Sequence, residues 1–140
     1  MAVTNVYAEA SDVQALLESV SGIGMTFSSS TKPSLSQVEG WLDDVAAEVD
    51  GILRAKGYAT IPATGDTDKR MIGMHVAEKA AVATYHAGWG GFQDTPARVE
   101  QWDEDYKAFI ARLRKGEQHL VDQEPRYMIN TIMGGWYGGA

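Results

Sequence analysis

Three histidines, at positions 75, 86 and 119, are the only imidazoles in a 140-residue chain that has no cysteine. The missing thiols exclude a disulfide framework, a cysteine nucleophile and any Cys-ligated zinc or iron–sulfur centre. Metal or acid–base chemistry would have to come from these imidazoles and from carboxylates. His75 and Glu78 stand at i and i+3. That is the reverse of the Glu-x-x-His order used by di-iron bundles, and no second copy occurs. H-E-x-x-H and G-x-S-x-G are both absent. Gly22-Ile23-Gly24 lacks the third glycine and the preceding strand of a dinucleotide loop. Asp66-Thr67-Asp68 opens like a calcium loop but lacks its glycine and closing glutamate, so it reads as a helix cap. Asp43 and Asp44 are adjacent, point to different sides of a helix and cannot share a proton. His75, Lys79 and His86 fall on one narrow polar strip, expected to face solvent. One lysine between two mostly neutral histidines makes a poor phosphate clamp. The expectation is a protein that is not an enzyme and uses no metal and no cofactor.

The elements that carry these residues read as helices. A short first helix has Val13, Leu16 and Leu17 on one face, with Ser11 and Gln14 as its capping box. A Gly/Ser/Thr-rich loop from Ser21 to Pro33 follows, in which no buried element is expected. Ser34 with Gln37, or Ser36 with Glu39, caps the second helix. Its apolar stripe is Val38, Leu42, Val45, Val49, Ile52 and Leu53, and Gly57 is its stop. Gly51 inside that run costs about 1 kcal/mol of helix propensity and marks a candidate close contact. The third helix runs from Asp66 or Thr67 to about His86 and is apolar or small almost all round, as expected of a central helix. Gly88 and its neighbours are expected to break it. Thr95 as N-cap and Pro96 at the first helical position open the fourth helix. Its stripe of Val99, Trp102, Tyr106, Phe109, Ile110 and Leu113 reads as core, and Gly116 as its stop.

The fold class is therefore all-α, a small bundle of about four helices over residues 1–116, followed by an extended C-terminal tail, 117–140. The formal charge is −7, and it is uneven. Residues 1–57 hold eight acids and three bases, 58–116 eight of each, and 117–140 three acids and Arg126. Most of the excess is on the first two helices, above all at Glu39, Asp43, Asp44, Glu48 and Asp50. Such a surface argues against electrostatic binding of nucleic acid or an anionic membrane; it is either a solvated face or a face for a basic partner. No apolar run approaches the ~20 residues of a bilayer span. Residues 1–10 lack the basic and apolar regions of a signal peptide.

The tail is the anomaly. It carries Tyr127, Met128, Ile129, Ile132, Met133, Trp136 and Tyr137 among four glycines, with neither helical nor strand periodicity. Fully extended it would reach roughly 80 Å. Aromatic, Ile and Met side chains on such a segment either fold back as an apolar strap or anchor a partner.

Tyr7-Ala8, Asp12-Val13 with Leu16-Leu17, the Ser/Thr-rich loop, and Gln37 to Leu53 leading into Arg54-Ala55-Lys56-Gly57-Tyr58 and Pro62 together resemble the head–tail connector (adaptor) proteins of tailed bacteriophages. The resemblance spans roughly the first 60 residues. It implies a non-enzymatic virion protein, assembled in the host bacterial cytoplasm into a homo-oligomeric ring, typically dodecameric, beneath the portal. It implies two partners: the portal protein, and a tail-proximal stopper, head-completion or tail protein. It also implies genome DNA passing through the lumen without sequence-specific binding, in the virion neck and away from membranes. Arg126, Tyr127, Ile129, Ile132, Met133, Trp136 and Tyr137 become the portal-docking residues. Glu39, Asp43, Asp44, Glu48 and Asp50 become an acidic lumen or partner face. Two other readings compete: a stand-alone helical regulatory module with a basic partner, and a helical-bundle enzyme built on His75 and Glu78.

Overall fold

In the computed structural model, residues 6–21, 26–90 and 95–123 are described. Four helices follow one another: α1 (Ala10–Ser21), α2 (Leu35–Ala55), α3 (Asp66–Trp89) and α4 (Ala97–Lys115). The chain is all-α, as its periodicities require. α3 packs against each of the other three helices, so the helix that is apolar nearly all round is the central one.

Local chemistry sets most of the helix ends. At α2 the Ser34 hydroxyl accepts the Gln37 N–H, and the Gln37 side chain accepts the Ser34 N–H at 2.9 Å. Of the two capping boxes the sequence allows, the earlier one forms. At the far end Gly57 takes φ 87°, its N–H bonds the Arg54 carbonyl, and the Tyr58 N–H bonds the Leu53 carbonyl. Buried Tyr58 and Leu53 complete this Schellman closure. Gly116, at φ 76°, ends α4 in the same left-handed way. Three ends differ from expectation. α1 starts at Ala10, ahead of Ser11, with the Asp12 carboxylate accepting the Glu9 N–H at 2.8 Å. α3 runs through Gly88 to Trp89. A Cβ at Gly88 would lie 3.0 Å from the Pro33 ring, so that glycine lets the loop before α2 lie against the helix. α4 begins at Ala97 with Pro96, not Thr95, at the N-cap position.

The core is assembled from the predicted stripes. Leu17 of α1, Leu42 and Leu53 of α2, Ile72 and Tyr85 of α3, and Phe109 and Leu113 of α4 are almost wholly buried. Each such side chain is worth about 1.5–3 kcal/mol relative to exposure. The loop before α2 was expected to bury nothing, yet Phe27 is buried in the same core. The N-terminal segment crosses α3 at Gly73, where a Cβ would meet the Tyr7 carbonyl oxygen at 2.4 Å. Gly51 differs from another expectation: among the described residues, nothing outside the adjoining backbone of α2 lies within 4 Å of its Cβ position.

Candidate docking site

The acidic residues of α2 divide by role. The Tyr7 hydroxyl donates to Asp50 at 2.5 Å and accepts the Ala63 N–H at 2.9 Å, fastening the N-terminal segment to α2 and to the α2–α3 connection. The Tyr106 hydroxyl donates to Glu48, fastening α4 to α2. Burial is the first cause of three shifts here: it lifts the Asp50 carboxyl above its ordinary value and raises both phenols far above 10.0. The carboxylate beside each phenol raises it further, while the Tyr7 hydrogen bond and Arg54 partly offset the rise at Asp50. Two members of the proposed acidic face therefore serve the fold. Of the rest, Asp44 is exposed and Glu39 and Asp43 are half-buried.

The polar strip of α3 is also repositioned. His75 and Glu78 are not solvent-facing: they retain 7% and 8% exposure, and the His75 ring stacks on Phe109 of α4 at 4.2 Å between centroids. Their Nδ1 and Oε2 atoms stand 3.7 Å apart and have no hydrogen-bond partner among the described residues. One helical turn on, Lys79 reaches Asp103 at 2.8 Å, and Lys107 meets the other oxygen of that carboxylate at 2.9 Å. The two lysines hold the Asp103 carboxyl below its ordinary value. His86 is exposed at the far end of the strip. Among the described residues no group of three or more His, Asp or Glu side chains is placed to hold a metal ion.

The best-built polar structure lies where α4 hands over to the C-terminal segment. The Leu120 side chain is buried, and its N–H donates to the Tyr58 hydroxyl at 3.1 Å. The Asp68 carboxylate, 1% exposed, accepts the Val121 and Asp122 N–H groups at 2.8 and 2.9 Å. In return the Asp122 carboxylate accepts the Asp68 N–H at 3.1 Å, one of the orphan donors in the first turn of α3. Gly65, the N-cap residue, offers no side-chain cap. A Cβ there would lie 2.1 Å from the Asp122 carboxylate oxygen, so Gly65 makes room for a cap supplied from 54 residues away. The Gln123 side chain then bonds both the N–H and the carbonyl of Thr60, at 3.2 and 2.9 Å. Asp68, read from sequence as a local cap, is the receptor for another segment. Residues 117–123, assigned to the tail, are fastened to the bundle. The docking residues proposed from sequence, Arg126, Tyr127, Ile129, Ile132, Met133, Trp136 and Tyr137, lie outside the described residues.

A groove of about 410 Å³ lies between α1 and α3, lined by Leu16, Gly73 and Ala77. Asp12, Arg70 and the 54% exposed Met74 also line it. Val99, Trp102, Tyr106 and Phe109 of α4 are buried, as their spacing requires. No described helix is long and apolar enough to cross a membrane. Compared with models of known families, with curated proteins and with solved structures, the chain matches none.

Proposed function

We propose that this chain is a head–tail adaptor of a tailed bacteriophage. It would form a homo-oligomeric ring beneath the portal and join the portal to the tail-proximal proteins. The observation that carries this reading is the root of the C-terminal segment. Residues 117–123 are held on the bundle by the reciprocal Asp68–Asp122 bonds and by Gln123 on Thr60. The 17 residues beyond, with Tyr127, Ile129, Ile132, Met133, Trp136 and Tyr137, thus follow a fixed anchor at Gln123. A rigid domain that launches an aromatic- and Met-bearing segment suits docking on a neighbouring protein. The resemblance of the first 60 residues to connector proteins supplies the identity of that neighbour, the portal.

In this reading Glu39, Asp43 and Asp44 carry the acidic character of the ring, and an acidic wall lets DNA pass without sticking. Glu48 and Asp50 each also accept a tyrosine hydroxyl, so they serve the fold as well. Electron microscopy of the purified protein mixed with portal rings is the direct test, and rings seated on the portal are expected. Removing residues 125–140 should leave the helical content intact and abolish portal binding. Normal portal binding by the truncated chain would overturn the tail assignment. A defined one-to-one complex with a basic protein and no affinity for portal would favour a regulatory module.

A further inference from the structure

We propose that in the free protein the C-terminal segment lies in the α1–α3 groove of its own chain, with Ile132, Met133 and Trp136 against Leu16, Met74 and Ala77. The groove presents apolar surface without a described occupant, and Met74, which lines it, is 54% exposed.

The occupant follows from where the described chain ends. Asp122 is bonded to the first turn of α3 through Asp68, and Gln123 is fixed on Thr60. The groove lies along the same helix, from Arg70 to Ala77. At 1.5 Å per residue this is about 3–14 Å along the α3 axis from Asp68. Passing half-way round a helix 10–12 Å across adds about 16–19 Å, a path of roughly six residues at 3.3 Å each. Residues 124–129 cover that distance and leave Ile132, Met133 and Trp136 over the groove. Glu124 and Arg126, the only charged side chains after Gln123, both fall in the connecting stretch, so the part laid over the groove has no charged side chain, which suits a lining that includes Ala15, Leu16, Met74 and Ala77. A tether this short supplies the segment at millimolar effective concentration, which favours the chain's own groove over that of a second copy. The contact concerns the free protein and stands whether or not the external partner is a portal. With one, it would shelter the apolar anchors until the partner competes them away.

The cysteine-free sequence gives a clean test in the full-length chain. Met74→Cys with Ile132→Cys should form an intramolecular disulfide at a rate independent of protein dilution. The control Ala108→Cys with Ile132→Cys places the first thiol on the exposed face of α4. The first pair should oxidise at least about tenfold faster than the control, the ratio expected of a docked against a freely searching tether. Equal rates for the two pairs, or a product that is a disulfide-linked dimer, would overturn the proposal. Portal binding is read separately on the reduced wild-type chain. A protein that cross-links as expected yet ignores portal rings removes the adaptor reading and keeps the groove. One that binds portal but oxidises both pairs equally does the reverse.

Discussion

Asp68 and Asp122 cap one another: each carboxylate accepts the other residue's backbone N–H, at 2.9 and 3.1 Å. The exchange joins the first turn of the central helix to the segment that follows the last one. It also explains a glycine at position 65, whose φ of −67° any residue can adopt. What excludes a side chain there is the Asp122 carboxylate.

Substitutions in this clamp should therefore couple. Asp122→Ala removes a helix cap and is expected to cost about 1 kcal/mol. Asp68→Ala strands the Val121 and Asp122 N–H groups and is expected to cost more, about 1–3 kcal/mol. Gly65→Ala should destabilise the wild-type chain by about 1–3 kcal/mol through overpacking. Its effect should shrink in the Asp122→Gly background, because the colliding atoms are all from the Asp122 side chain. Urea unfolding of the four proteins measures the coupling. Additive effects of Gly65→Ala and Asp122→Gly would contradict the steric account.

How far the fold can be read from the chain follows from the range of the forces involved. The Ser34–Gln37 box and the Gly57 and Gly116 stops depend on residues within five positions of one another, and all three formed as the spacing demanded. The apolar stripe of α4 is buried throughout, and in α2 Val38, Leu42, Val49 and Leu53 are buried while Val45 and Ile52 pack half-buried against the core. The Asp68–Asp122 clamp and the burial of Phe27 depend on tertiary neighbours far along the chain, and no local pattern encodes them. His75 is the instructive failure. α3 has so little amphipathic bias that its wheel shows a polar strip without revealing what the strip faces, and at His75 it faces Phe109. An i, i+3 His–Glu pair on a helix judged central from its composition was the signal that it would be enclosed. The tail's anchor residues were legible as a composition, and their placement is a matter for the cross-linking and portal experiments.

The His75–Glu78 pair carries an energetic consequence of its enclosure. Both groups are buried, and among the described residues their facing atoms have only each other, at 3.7 Å. Each single substitution leaves the other buried polar atom facing an apolar side chain, so Glu78→Leu or His75→Phe alone is expected to destabilise by about 1–3 kcal/mol. The double variant removes both desolvation penalties and keeps an aromatic ring against Phe109. It should return to wild-type stability or exceed it by about 1–4 kcal/mol. A double-mutant cycle in urea checks this. A double variant weaker than either single one would show that the pair is held by more than its mutual contact.

Two phenols, half-buried Tyr7 and buried Tyr106, predict the alkaline limit of the fold. Tyr7 and Tyr106 are raised above 10.0, first by burial and then by the carboxylates they donate to. A group whose folded value is raised lends stability that is complete below the unfolded value and is lost as pH rises toward the folded one. Stability should thus fall progressively above pH 10.0, where tyrosines of the unfolded chain begin to ionise. The native protein's phenolate absorbance near that pH should be unchanged by Tyr7→Phe or Tyr106→Phe. In concentrated urea each substitution should remove one-sixth of the total signal, since the chain has six tyrosines. A smaller native signal near pH 10.0 in either variant would place that phenol in solvent.

Gly40 and Gly51 offer the opposite sign. Both lie inside α2, and among the described residues an added Cβ at either meets nothing within 4 Å beyond the adjoining helix backbone. Neither has a positive φ. The only consequence of a methyl group in the isolated chain is to restrict the unfolded backbone and improve helix propensity. Gly40→Ala and Gly51→Ala should each stabilise by about 0.5–1 kcal/mol, additively to within about 0.5 kcal/mol because eleven residues of helix put them some 16 Å apart. Gly73→Ala is the internal control, since its Cβ would sit 2.4 Å from the Tyr7 carbonyl oxygen. It should destabilise, and loosen the N-terminal segment, where faster hydrogen exchange at the Ala63 amide would report the loss of the Tyr7 hydroxyl that accepts from it. Thermal melts of the three variants read the signs directly. Destabilisation by either α2 alanine in the isolated protein would mean that this face of α2 is covered by something other than water.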